Sequence, residues 1–156
     1  MKGVIVAFAS AALAGCVSSS IVPIDQNTIM ITTSGAPVCG ASGTQGVAVH
    51  MAAVETIRRG YDRFIVLDAE SANNVRVVGT TPIYANTYGS FGYGGSYRSM
   101  TTFGGGQPIV AGTYDQGLVI RMFRDNDPAG RNAVSARATL GPEWQTAVAE
   151  DKSSCF

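Results

Sequence analysis

Ser42-Gly-Thr-Gln45-Gly-Val47-Ala-Val-His50-Met51-Ala-Ala53-Val54-Glu-Thr56-Ile57-Arg58-Arg59-Gly60-Tyr61-Asp62-Arg63-Phe64-Ile65-Val66-Leu67 carries a helix, its stop signal and a strand in direct succession. Ser42 with Gln45 three residues on matches a capping box, in which the first side chain accepts from a free backbone N–H of the opening turn. Val47, Met51, Val54 and Ile57 recur at helical spacing on one face, and Gly60 stands where a glycine ends a helix. Phe64 to Leu67 then reads as a buried strand. Upstream, Thr28 to Thr33 is rich in β-branched residues and runs into Ser-Gly-Ala-Pro, a strand ended by a turn. Strand, helix and strand make one unit, which predicts an α+β domain: a mainly antiparallel sheet packed by one principal helix.

Downstream, Val75 to Val78 is a further strand candidate, and the composition then changes. From Tyr84 to Gly106 there are seven glycines and six aromatics, Tyr84, Tyr88, Phe91, Tyr93, Tyr97 and Phe103, with Arg98 the single charge. This excursion is either a hairpin reversing at Gly94-Gly95, a pair suited to positive φ, or a mobile loop. So much glycine weakens strands, which favours a partly ordered excursion. Gly117 to Phe123 is a strand ended by Asp-Asn-Asp-Pro, and Asn132 to Leu140, stopped by Gly141-Pro142, fits a short second helix. Trp144 to Val148 reads as a last strand or an extended tail.

The N-terminus carries an address. Met1-Lys2-Gly3, the apolar run Val4 to Leu13, and Leu13-Ala14-Gly15-Cys16 form a basic start, a short apolar core and a small-residue cleavage site, too short to span a membrane. The Leu-Ala-Gly-Cys ending resembles the lipobox of bacterial lipoproteins. That resemblance implies a signal peptide over residues 1–15, acylation (palmitate included) of Cys16, and a lipid-anchored periplasmic protein. Val17 after the cysteine, where an Asp favours the inner membrane in enteric bacteria, points to the outer membrane. Residues 16–24, with Val17-Ser-Ser-Ser, read as the lipidated cysteine and a tether, and residues 25–156 as a single domain with 84–106 as an insertion.

Acylation of Cys16 leaves Cys39 and Cys155, an even pair that predicts a disulfide in an oxidising compartment. With 11 Lys plus Arg against 11 Asp plus Glu, the chain offers no basic field for nucleic acid. Its 46% hydrophobic content excludes a wholly disordered chain.

The helix-to-strand junction, Ala53-x-x-Thr56-x-x-x-Gly60-Tyr61-Asp62-x-Phe64, is similar to that of a loose group of small proteobacterial lipoproteins without an assigned biochemical role. The resemblance implies the envelope setting and no activity. Physically the motif reads as structural: Gly60 reverses the chain, the aromatics seal the helix end, and Asp62 pairs with Arg58 or Arg59 or accepts a backbone hydrogen bond.

Candidate chemistry is sparse. Gly40-x-x-Gly43-x-x-Gly46 precedes a helix, where free N–H groups can hold a phosphate, yet it lacks the Lys-Ser or Lys-Thr of a P-loop. Cys39 and His50 would make a nucleophile pair, but two helical turns between them put them roughly 10 Å apart or more. A single histidine completes no usual zinc set. Asp125-Asn126-Asp127 begins like a calcium loop, which Pro128 and a missing downstream Glu interrupt. Asp68 and Glu70 share one side of a strand with nothing nearby to complete a site. No metal, cofactor or catalytic residue is expected. The six aromatics of the excursion are the candidate surface, for an envelope protein, peptidoglycan sugar faces or a lipid interface, unless they fold down over the sheet. The sequence thus predicts a non-enzymatic envelope lipoprotein of interaction or structural type, with a small hydrolase or thiol enzyme using Cys39 and His50 as the alternative.

Overall fold

The computed structural model describes residues 17–150, 154 and 155. Residues 1–15, read above as a signal peptide, and Cys16 lie outside the described residues.

The fold is α+β, with mostly antiparallel strands, one main helix and short accessory helices. Its body is a five-stranded sheet in the order β1-β2-β8-β3-β9, formed by Val17–Pro23, Thr28–Gly35, Tyr114–Phe123, Arg63–Asn73 and Val134–Ser135, with every neighbouring pair antiparallel. The principal helix α1, Gly40–Arg58, connects β2 to β3. These two strands flank β8 and so run parallel to one another, a split β-α-β arrangement.

Alternation decides what the sheet buries. Ile29, Ile31 and Thr33 of β2, Leu118, Ile120 and Met122 of β8, and Phe64 of β3 turn to the helix side and are closed to solvent. Val47, Ala48, Met51 and Ala52 of α1 meet them, and burial of each large apolar side chain contributes about 1.5 to 3 kcal/mol. Val47, Met51 and Val54 of the expected apolar face are buried, and Ile57 packs at its margin. The other sheet face is open, with Thr32 and Arg121 exposed.

The helix begins earlier than Ser42. Pro37–Cys39 forms a 3-10 turn that feeds directly into Gly40, so Ser42 lies inside the first turn and no side chain caps it. The C-terminal stop is a Schellman motif: the Gly60 N–H donates to the Ile57 carbonyl at 2.9 Å and the Tyr61 N–H to that of Thr56 at 3.0 Å, with Gly60 at φ 81°.

Three sequence expectations change. The segment read as a tether is β1, paired with β2 from Val17 opposite Gly35 to Pro23 opposite Ile29. Val17 is buried in the core cluster, so ordered structure starts before Asp25; serine-rich sequence pairs here because a neighbouring strand supplies the ladder. The short second helix, α2, covers only Ala136–Leu140, with Ser135 accepting from the Ala138 N–H as its cap, because Val134 and Ser135 pair with β3. Trp144–Ala149 is a helix, α3, where a strand or tail was expected. Arg58 holds it in place by donating to the Val148 carbonyl at 2.9 Å.

The largest departure from a plain domain lies between β3 and β8. Beyond Asn73 and Tyr114 the two strands continue as an arm: β4, Arg76–Thr80, pairs with β7, Pro108–Ala111, and β5, Tyr84–Phe91, pairs with β6, Tyr97–Gly104. The loop reading of 84–106 therefore gives way to the hairpin, with Gly94 and Gly95 at φ 90° and 81° in its turn. The excursion also begins earlier than Tyr84, at Asn74.

Candidate functional site

The arm joins the body through a set of polar contacts. The Asn74 N–H donates to the Thr113 carbonyl at 2.9 Å. The Asn74 side-chain amide and the Thr113 hydroxyl both donate to Asp115 Oδ2, at 2.6 and 3.2 Å. A hydrogen bond from the Ser34 hydroxyl, the largest influence, holds the Asp115 carboxyl below its ordinary value against the opposing effect of burial, with lesser help from Thr113 and Asn74. Gly112, at φ 117°, lets the chain turn here, since a Cβ would stand 2.1 Å from the Asn74 carbonyl oxygen. Asp115 and its partners were not singled out in the sequence, because nothing local marks an aspartate that opens a strand as the fastener of a distant turn.

All eight residues of β5 are exposed, as are all of β6 save Gly104. The aromatics do not fold down over the sheet: Tyr88 is 72%, Phe91 82% and Phe103 76% exposed. Alternation divides them between the two faces. Tyr84, Tyr88, Met100 and Arg98 share one face, and Phe91, Tyr97 and Phe103 the other, with Tyr93 beyond them in the turn. Phe91 and Tyr97 face each other across the ladder with ring centroids 5.0 Å apart. Hydroxyls of Thr87 and Thr101 pair at 2.9 Å between them.

The junction motif is built into the body. Ala53 and Thr56 are fully buried, and Thr56 donates to the Ala52 carbonyl at 2.7 Å. The Tyr61 hydroxyl donates to the Gln26 carbonyl at 3.2 Å, and Phe64 is a core residue. Asp62 takes the second of its two expected roles, accepting from the Asp125 N–H at 3.1 Å. Its charged partner is Arg137, at 2.8 Å, and not Arg58 or Arg59. Those two cations instead flank the buried Glu55, each at 3.3 Å, as neighbours on one helical face do.

Cys39 and Cys155 are joined, with Cα atoms 5.6 Å apart across 116 residues. The bridge accounts for one of the helix-opening glycines, because a Cβ on Gly43 would lie 3.3 Å from that of Cys155, whereas Gly40 takes a φ of 65° and Gly46 faces open space. The Cys39 sulfur is thereby bonded and not a free nucleophile. His50 sits instead in the wall of a concavity of about 540 Å³ between α1 and the C-terminal helices, with Val47, Leu140, Glu143 and Cys155. Asp68 and Glu70 are exposed on β3. Asp125 is taken up by Arg63 at 2.7 Å, and Asp127 caps the 3-10 turn Pro128–Gly130. Among the described residues no three His, Cys, Asp or Glu gather to hold a metal, and no helix is long and apolar enough to cross a membrane.

No family model matches the chain, and neither a curated protein nor a solved structure does.

Proposed function

We propose that this chain is a lipid-anchored lipoprotein of the bacterial envelope, held through Cys16 at the periplasmic side of the outer membrane and acting by interaction rather than catalysis. The observation that carries the reading is the arm. The body closes its core between α1 and the sheet, while the hairpin from Tyr84 to Gly104 exposes its large side chains on both faces. A two-stranded hairpin has little stability of its own in water, so aromatics presented this way fit a surface that is completed by something else. Tyr supplies amphipathic contact area at low entropic cost, and Gly and Ser adapt to it. The disulfide suits an oxidising compartment. The partner class is an envelope component: a protein, peptidoglycan or the membrane itself.

Two measurements test this. Intact mass of protein extracted from membranes is expected to show acyl chains on Cys16, with Cys39 and Cys155 alkylating only after reduction. A chain without acyl mass would remove the anchor. A photoreactive side chain placed at Tyr88 in living cells is expected to cross-link to an envelope component, whereas the same group at Thr32 on the open sheet face is not. Equal labelling from both positions would remove the arm as the working surface.

A further inference from the structure

The root of the arm and the start of β1 lie at one end of the sheet. Val17 stands opposite Gly35, Gly35 opposite Tyr114, and Tyr114 opposite Asn73, so one row across β1, β2, β8 and β3 links the start of the first strand to the root of the arm. Three strand spacings span that row, about 14 Å. Cys16, one peptide bond before Val17, is tied to this end by covalent geometry alone. Taking the acylated Cys16 of the proposed function as given, we infer that the hairpin inserts its turn into the surface of the same bilayer, with lipid as the occupant of its exposed aromatics.

The chemistry of the two ends of the molecule agrees. Between Val77 and Tyr114 the only charge is Arg98, in the second row from the turn, opposite Ser90. No carboxylate in that span opposes anionic headgroups or would have to shed its water on approach. Phe91, Tyr93 and Tyr97 cluster at the turn, and ring side chains of this kind settle at the boundary of headgroup and acyl chain. Arg98, one row back, is placed to meet lipid phosphate while its methylenes stay in the apolar layer. The opposite end of the sheet carries Arg63, Arg124, Asp125 and Asp127 and suits water.

The depth follows from the backbone. A lone two-stranded ribbon has an unpaired row of N–H and C=O groups along each edge, and hydrocarbon would leave those groups without partners. The inserted part therefore stays at headgroup depth, where water still reaches both edges.

The test uses the acylated full chain extracted from membranes and reconstituted into vesicles of phosphatidylethanolamine and phosphatidylglycerol. Tyr93→Trp in a Trp144→Phe background puts the only indole at the turn, and Val134→Trp in the same background puts it at the far end of the sheet. Lipid brominated near the headgroup is expected to quench the first several-fold more than the second. Phe91→Ser and Tyr97→Ser together are expected to remove most of that difference. Protein that carries acyl mass and floats with vesicles, yet shows equal weak quenching at both positions, overturns insertion and leaves the anchor standing. Quenching at the turn in protein without acyl mass removes the anchor and keeps the insertion. Neither acyl mass nor quenching removes both. A blue shift at position 93 that grows with protein density and is indifferent to brominated lipid assigns the hairpin to a second copy of the chain and overturns the inference.

Discussion

Opening the Cys39 to Cys155 bridge should cost this domain a large share of its stability, and the size follows from chain statistics. The bond closes a loop of 116 residues. In the chain-entropy model such a loop removes about 4.8 kcal/mol of conformational freedom from the unfolded ensemble at 25 °C. For a domain of this size about 1 kcal/mol moves the melting temperature by about 3 °C, so the expected fall is roughly 15 °C. Scanning calorimetry of oxidised protein beside Cys39→Ala, Cys155→Ala and the double substitution measures it. Cutting either end opens the same loop, so all three variants should melt together, within about 0.5 kcal/mol of one another. Cys39 is nearly buried against α1 and Cys155 less so, which gives the competing explanation a different signature. If the effect came from packing of the sulfurs, the two single variants would differ and the double would approach their sum. Additive losses of that kind, or a common fall under about 3 °C, would refute the reasoning.

Replacing residues 85–103 by Asn-Gly joins Tyr84 to Gly104 through a two-residue turn of the kind hairpins favour, and should leave the melting temperature within about 2 °C of the intact chain, because the hairpin lies outside the core cluster. A fall well beyond that in circular dichroism would show that the hairpin supports the body. Asp115 gives a pH dependence. Its carboxyl is held below the ordinary 3.8, first by Ser34 of β2 and then by Thr113 and Asn74, so the stability it lends the joint between β2, β8 and the arm root is present above that value and is lost as pH falls through the lower folded value. Amide exchange at Asn74, whose N–H donates to Thr113, should accelerate in that acid range relative to amides of α1, and Asp115→Asn should flatten the difference. Exchange at Asn74 that tracks α1 throughout would refute the assignment.

The body was legible where local chemistry and tertiary context agree. Helical spacing from Val47 to Ile57 and the glycine at 60 located α1 and its stop, because amphipathic spacing and a positive φ are both written locally. Its start lies three residues earlier than the capping box places it: Ser42 and Gln45 have the right spacing, but Pro37 already sets a 3-10 turn that runs into the helix, and Cys39 stands at the N-cap. Val17 to Ser20 looks like a linker by composition and is a strand because β2 offers a partner, information that no window around those serines contains. Asp62 illustrates the same limit at the junction. Its nearest cations in sequence are Arg58 and Arg59, yet the helix turns those back toward Glu55 and brings Arg137 in from α2. The aromatic excursion stands out by composition, which leaves hairpin and loop open because so much glycine weakens strands, and its fastening to the body through Asn74, Thr113 and Asp115 needs the register of β3 on β8.

The pairing of Val17 with Gly35 also has a consequence for the order of events in the life of the chain. Enzymes that modify a cysteine and cut the bond before it work on extended, accessible backbone, whereas β1 begins at the very next residue. Under the proposed anchoring, maturation and folding compete for the same few residues. Either the first strand zips onto the sheet only after processing is finished, or its first row must fray to let the enzymes in. Substitutions that strengthen the Val17 to Ser20 pairing are then expected to slow processing, so that a better-folded precursor becomes a poorer substrate.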